Sequence, residues 1–434
     1  MRILVVLALT AALAWAGFRL FGGPVDAVGP IDGGSGTPAI DRGAEPVTPP
    51  PSNAEQQPAP AVEAPPAVSE DVNPFAAPQA APFEDPELWV ELAAYVAHGR
   101  FPEALAQARS AEPALPADRL EVLSCLLEAL AGDADVARDR AAALFARDAL
   151  ADREVTLLQA ALGTGPPPAP GRHVDPLDLG VELATVYRSA QEAAARGRLE
   201  EAAGALTRLF RSELDAPWDT RPTDLDHWTA LLRDVQRRYR WDPRGEWPSF
   251  DLTVQSGEGL TMVRKRALAQ RPDLNLSTGL IARVNGVDGS SIHPGDVLRI
   301  PTEPVTVFVD VSKHWLLYSI GPHVVEAWPV GTGAHGSETI TGTFVVGDKQ
   351  ENPTWWPKGR PPVLPHDPEN PLGTRWIGWR EEGAERDTSY GFHGTREPET
   401  IGFDASEGCV RMRNGDVEVL FEILPVGSRF TVRD

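Results

Sequence analysis

The apolar pattern of this chain changes its period from one stretch to the next, so no single sheet or bundle can absorb the whole sequence. Residues 85–245 carry apolar side chains at three- and four-residue spacing, as in Leu88, Leu92, Tyr95 and Val96, the period of amphipathic helices. Residues 250–302 read as strand, helix, helix, strand. From 304 to 434 the texture is short β-branched and aromatic runs, such as Val305-Thr306-Val307-Phe308-Val309, set apart by Gly, Pro and Asn. A chain of 434 residues has room for about two to four such units, each with its own core. The expected fold is multidomain: an all-α domain, a small α+β unit and a mainly-β domain.

Ahead of these units, Met1-Arg2 places one cation before an apolar run that reaches Phe18, and Ala14-Trp15-Ala16 supplies the small residues of a cleavage site. Residues 1–21 read as an export signal. It is either cut or, because Leu20 and Phe21 extend the run past Arg19, kept as an inner-membrane anchor. Both outcomes put the remainder in the cell envelope or periplasm. Residues 22–84 are rich in Pro, Ala, Gly, Glu and Ser and hold too little apolar surface to offset the entropy of ordering. They read as a disordered tether that serves either reach or solubility. With 40 basic and 62 acidic side chains the net charge is −22, a field that repels nucleic acid.

Two segments of the helical stretch echo each other, His98-Gly99-Arg100-Phe101-Pro102-Glu103-Ala104-Leu105 and Arg196-Gly197-Arg198-Leu199-Glu200-Glu201-Ala202-Ala203. Each is a Gly turn between helices, and the pattern resembles tetratricopeptide-like hairpins, although the repeat length is irregular. Such stacks commonly bind a protein partner; a helical domain that simply packs is the alternative. Within 250–302, three segments stand in order: Val254-Gln255-Ser256-Gly257-Glu258-Gly259-Leu260, Leu280-Ile281-Ala282-Arg283-Val284-Asn285-Gly286 and Ile292-His293-Pro294-Gly295-Asp296-Val297-Leu298. Together they resemble the LysM module. The resemblance implies a βααβ fold that binds N-acetylglucosamine-containing glycan in a groove, with Gly257, Glu258, Leu260 and Asn285 as candidate contacts. The stretch from Ala267 to Ser277 is longer than usual for that family, which puts the groove's shape in question. A glycan module on a linker would raise the local concentration of substrate to a degree set by linker length.

The chemistry concentrates in Gly391-Phe392-His393-Gly394-Thr395 and Ser406-Glu407-Gly408-Cys409-Val410-Arg411-Met412. A thiol attacks a carbonyl as thiolate, so it needs an imidazole to take its proton and donors for the oxyanion. Adjacent strands can bring His393 and Cys409 together. Gly408 allows a tight turn in which its own N–H and that of Cys409 face one oxygen. Arg411 alternates to the side of Cys409, where it serves either a substrate carboxylate or an internal salt bridge. A lone Cys and a distant His carry little weight by themselves, since lone cysteines are commonly buried and inert. Cys125, in a helical pattern, reads as a small buried hydrophobe, and no disulfide is expected. The other histidines show no metal-ligand spacing, and no phosphate loop appears, so neither metal nor cofactor is expected.

The two stretches resemble the catalytic domain of the L,D-transpeptidase (YkuD) family. Ordered support comes from Val309-Asp310-Val311-Ser312, Pro329-Val330-Gly331-Thr332-Gly333, Thr341-Gly342-Thr343-Phe344, Asn352-Pro353-Thr354-Trp355-Trp356, Asn370-Pro371-Leu372-Gly373-Thr374 and Cys409-Val410-Arg411-Met412-Arg413-Asn414. The resemblance implies that Cys409 forms a thioester, that His393 is its base and that the Gly394 carbonyl orients the imidazole. Peptidoglycan stem tetrapeptide would be the donor. An amine would accept the acyl group in 3-3 cross-linking or protein anchoring, or water would in a carboxypeptidase; a noncatalytic wall-binding scaffold is the rival reading. Arg411, Ser406 and Trp355 are the candidate substrate contacts. Glu407 stands where the family has a second His, and its charge would oppose thiolate formation if it lies close.

Overall fold

The computed structural model describes residues 86–110, 117–132, 134–146, 150, 152–165, 176–288, 291–357 and 359–434. The export signal and tether read over 1–84 lie outside the described residues. The described chain begins with helices α1 (Pro86–Ala97), α2 (Phe101–Ser110), α3 (Ala117–Ala131), α4 (Ala134–Phe145), α5 (Asp152–Leu162), α6 (Pro176–Ala195), α7 (Leu199–Leu214) and α8 (Asp226–Arg238). The two echoing segments make the same turn: Gly99 and Gly197 take φ of +69° and +75°. Arg100 N–H and Arg198 N–H reach back to the carbonyls of Tyr95 and Ala193, closing both helices alike. The helices do not continue as an open stack, because α1 packs chiefly against α6. The crossing is close, and a Cβ on Gly180 would lie 2.5 Å from the Ala93 carbonyl oxygen. Cys125 is fully buried between α3 and α4, its thiol 3.4 Å from the Ala137 carbonyl.

A small unit follows: β1 (Ser249–Thr253), α9 (Leu260–Gln270), α10 (Thr278–Asn285) and β2 (Val297–Pro301), with β1 and β2 antiparallel from Ser249↔Pro301 to Thr253↔Val297. The rest is a mainly-β unit with β3 (Val305–Asp310), β4 (Trp315–Ile320), β5 (His323–Pro329), β6 (Thr332–Gly333), β7 (Gly342–Glu351), β8 (Arg375–Arg380), β9 (Gly391–His393), β10 (Asp404–Ser406), β11 (Val410–Arg411), α11 (Asn414–Ile423) and β12 (Arg429–Arg433). Eight strands form one mixed sheet in the order β11-β9-β8-β7-β12-β3-β4-β5, and β6 pairs with β10 beside it. Strict alternation sends Phe430 and Val432 of β12 to the same buried face as Val307 and Val309 of β3. There Phe344, Trp379, Phe392 and Phe430 interlock with ring centroids 5.0–5.7 Å apart.

Strand β4 is buried along its whole length because both faces are covered. Trp315 packs on Phe210 of α7, while Tyr318 on the other face donates to the Ile423 carbonyl that ends α11. Strand β5 closes the sheet, and an open edge would leave backbone groups free to recruit another chain. The helices cover it: Thr207 Oγ1 accepts from Val324 N–H at 2.8 Å, and Gln236 Nε2 donates to the Val324 carbonyl at 2.9 Å. The helical region thus has a concrete partner, the edge of the sheet.

The small unit is docked, not tethered. Ser277 Oγ donates to the Glu422 carbonyl at 2.7 Å, Asn275 Nδ2 reaches the Val426 carbonyl and Ser428 Oγ, and Arg283 pairs with Glu326 at 3.0 Å. The lengthened 267–277 stretch therefore supplies contacts to the mainly-β unit, and the expected dependence of local concentration on linker length does not apply. One continuous apolar core runs from α6–α8 through α9–α10 into the sheet. A Cβ on Gly279 would sit 2.4 Å from the Glu422 carbonyl oxygen. Gly279→Val should accordingly pry α10 from α11 at a cost of roughly 1–3 kcal/mol. Calorimetry is expected to show one transition in the native protein and a split or broadened one in this variant.

Candidate active site

The site is set by the parallel pairing of β11 with β9, in register Val410↔Phe392 and Arg411↔His393. Val410 and Phe392 point into the core, fully buried, so their neighbours on each strand face the other way. His393, Arg411 and, one step before β11, Cys409 consequently share one face. The hydrogen bond from Met412 N–H to the His393 carbonyl at 2.8 Å continues this ladder. Its other side is closed by Gly331, which exchanges both backbone bonds with Arg411 at 2.8 and 2.9 Å.

His393 Nδ1 lies 2.6 Å from the Gly394 carbonyl oxygen. A carbonyl only accepts, so Nδ1 carries the proton and Nε2 is left as an acceptor. Trp376, the cross-strand partner of His393, stacks on the imidazole with centroids 6.0 Å apart and planes inclined by 20°. The ring is 4% exposed, and burial, partly opposed by the Gly394 bond and aided by the Arg411 charge, lowers its pKa to about 4.

Cys409 is a free, partly exposed cysteine whose thiol lies 3.8 Å from the Ser389 carbonyl. The protein enveloping the sulfur pushes its pKa up to about 11; a backbone hydrogen bond from Gly391 and the Arg411 charge pull the other way, and Glu407 adds to the rise. Glu407 itself is exposed, and its contribution ranks below that of burial. At neutral pH the pair rests as thiol and neutral imidazole.

The turn before the thiol differs in one respect from expectation. Gly408 has φ of +106°, with the Tyr390 ring where a side chain would stand. Its N–H, however, donates to Ser406 Oγ at 3.0 Å and so is not aimed at a substrate oxygen. Ser406 Oγ in turn donates to the Cys409 carbonyl at 2.6 Å. Ser406 is 3% exposed, which makes it a clip across the 406–409 turn and not a substrate contact.

Arg411 Nη1 meets Glu397 Oε2 at 3.1 Å and Thr400 Oγ1 at 3.5 Å, while its buried Nε has no protein partner. The internal salt bridge and a remaining free donor coexist. Trp355 pairs through its backbone with Val363 and lies beneath Arg360, within the 352–374 loop; the indole that touches His393 is Trp376. In the small unit, Asn285 spends its amide on Ile281 O, Arg299 O and Arg299 N–H. Glu258 caps Gln255 N–H and holds Arg266 with both oxygens, and Leu260 is buried. These three shape the loops and do not face a ligand, whereas Gly257 is exposed at its turn with φ of +81°. Tyr390 and Glu397 were not singled out from sequence as site residues. Among the described residues no His, Cys, Asp and Glu cluster could hold a metal ion.

Comparison with known proteins gives the family. The family model for the YkuD L,D-transpeptidase catalytic domain matches residues 304–432. YqjB of Bacillus subtilis (strain 168), named as an L,D-transpeptidase, is 36% identical over 145 residues, which are 33% of this chain and 80% of that one. The chain belongs to the YkuD L,D-transpeptidase family. YbiS of Escherichia coli (strain K12), also named as an L,D-transpeptidase, is 34% identical over 167 residues, and the chain spans 52% of its length. The solved catalytic domain of the E. faecium L,D-transpeptidase matches at 20% identity with a TM-score of 0.25, covering 30% of this chain and 98% of that one.

Two outcomes follow from the site. Ser406→Ala removes both bonds of the clip and should cost about 1–2 kcal/mol in urea unfolding, together with slower reaction at Cys409. Iodoacetamide alkylation of Cys409 should climb steadily as pH approaches about 11, without a step between pH 6 and 8, because the lowered His393 pKa keeps the imidazole neutral down to about 4.

Proposed function

We propose that this chain is an exported L,D-transpeptidase of peptidoglycan in which Cys409 is the nucleophile and His393 its general base. The observation that carries the reading is the shared face of β9 and β11, with His393 Nδ1 tied to the Gly394 carbonyl and Nε2 left to accept. As Cys409 Sγ bonds to the carbonyl carbon after the L-centre of the third stem residue, its proton passes to Nε2. The C–N bond to the terminal D-alanine then breaks, the leaving amine takes that proton, and a thioester remains. An acceptor amine attacks the thioester, and the C–S bond breaks as the thiol is regenerated. Because thiol and imidazole both rest neutral, the proton moves during attack, and burial keeps the transferred charge in a weakly screened setting.

The small unit is read as a LysM module, supported by its βααβ order and by the exposure of 255–257 and 293–297, which flank the expected groove. Its docked position would hold bound glycan in a fixed place against the mainly-β unit. Envelope localisation rests on residues 1–21 alone.

Mass spectrometry after incubation with a carbapenem tests the nucleophile. A covalent adduct is expected on the native protein and none on Cys409→Ala, while His393→Ala should acylate at least about a hundredfold more slowly. An adduct that survives in Cys409→Ala would overturn the assignment. Digestion of tetrapeptide-containing wall fragments then separates transfer, which gives cross-linked dimers, from hydrolysis, which gives tripeptides.

A further inference from the structure

We infer that Asn414 is a positioning residue for His393, acting across the single peptide unit between Gly394 and Thr395; the inference rests on His393 being the base. Asn414 opens α11, and its Oδ1 accepts from Thr395 N–H at 3.2 Å and from Thr374 N–H at 3.3 Å. Two N–H groups facing one atom fix which end of the amide is oxygen. Thr395 N–H and the Gly394 carbonyl belong to the same planar trans peptide, so they point in opposite directions. Holding the N–H at Asn414 therefore aims the carbonyl at His393 Nδ1, which it meets at 2.6 Å. The chain of bonds runs Asn414 Oδ1, Thr395 N–H, Gly394 carbonyl, His393 Nδ1–H, and each bond polarises the next.

The packing around this peptide admits little else. A Cβ on Gly394 would lie 2.1 Å from Asn414 Oδ1 and 3.0 Å from Thr374 N; one on Gly373, which has φ of +63°, would lie 2.3 Å from the same oxygen. Both glycines make room for the amide. The same oxygen also anchors Thr374, whose carbonyl accepts from Asn352 N–H at the base of the 352–374 loop. Asn414 thereby ties the end of that loop to the peptide that orients the imidazole. In a Ser-His-Asp arrangement a carboxylate holds the outer imidazole nitrogen directly; here a neutral amide does so through one peptide plane.

The test compares the native protein with Asn414→Leu and Asn414→Ala, which lack the acceptor, and with Asn414→Asp, which retains it. Carbapenem acylation is followed as a function of concentration, and the imidazole tautomer is read from nitrogen NMR of histidine-labelled protein, with His393→Gln assigning the resonance. The acceptor-free variants should acylate about tenfold or more slowly at saturation, with an unchanged half-saturating concentration, and lose the single Nδ1–H tautomer of residue 393. Asn414→Asp should stay within about threefold of the native rate and keep that tautomer. An acceptor-free variant with native rate and tautomer overturns the inference, as does an Asn414→Asp as slow as Asn414→Leu. Failure of both acceptor-free variants to fold, judged by near-ultraviolet circular dichroism, would make the role structural and also overturn it. A native protein that takes no adduct sinks instead the reading of Cys409 as nucleophile.

Discussion

The parallel register of β9 and β11 is the constraint from which the site follows. Strand pairing has a period of two, so moving β11 by one residue would turn Cys409 and Arg411 into the core and bring Val410 to the surface. The buried Val410 and Phe392 forbid that shift, and the two-sided hold on Arg411, by the β9 ladder and by Gly331, fixes it from both flanks. Short strands are weakly specified alone. Here the core residues of two of them decide which face the thiol and imidazole occupy.

Burial then exacts an electrostatic cost from both reactive groups. The thiol is pushed up to about 11 and the imidazole down to about 4, so the resting state is neutral on both sides. In the mechanism we propose, charge appears only when a substrate carbonyl is present to receive the sulfur's electrons. Arg411 acts on both groups in a consistent sense: its positive charge favours thiolate and disfavours imidazolium. Glu397 anchors that guanidinium from an exposed position, whereas Glu407, pointing to solvent, adds only a lesser push on the thiol than burial does.

Much of the site was legible as sequence. The roles of His393, Cys409 and the Gly394 carbonyl came from the family resemblance, and the tight turn at Gly408 from its residue type, although the Gly408 N–H goes to Ser406 and not to an oxyanion. The period of the apolar residues likewise separated helices from strands. Less legible was what each polar side chain bonds to. Ser406, Glu258 and Asn285 look the same in a motif whether they meet a ligand or their own backbone, and all three meet the backbone. Trp376 could not be told from Trp355, because cross-strand register relates residues far apart in the chain and leaves no local trace. Asn414 lay inside a quoted motif, yet its use depends on a peptide plane nineteen positions earlier in sequence.

Contacts between units were the least legible, and they change what the assembly can do. Thr207 and Gln236 complete the backbone bonding of Val324, so the helices finish a sheet that would otherwise end in an open edge. Arg299 reaches the carbonyls of Pro243 and Trp247 at 2.8 and 2.9 Å and stacks on the Trp247 ring, joining the helical region to the small unit. Arg240, with no exposed surface, pairs with Glu303 at 2.6 Å at the entry to the sheet. Breaking such a pair strands a buried charge, which is costlier than the pair is stabilising. These joints, with the shared apolar core, hold the small unit and the mainly-β unit as one body. Under the proposed LysM reading, glycan on the small unit would be held at a place fixed by these joints and not by the length of a tether.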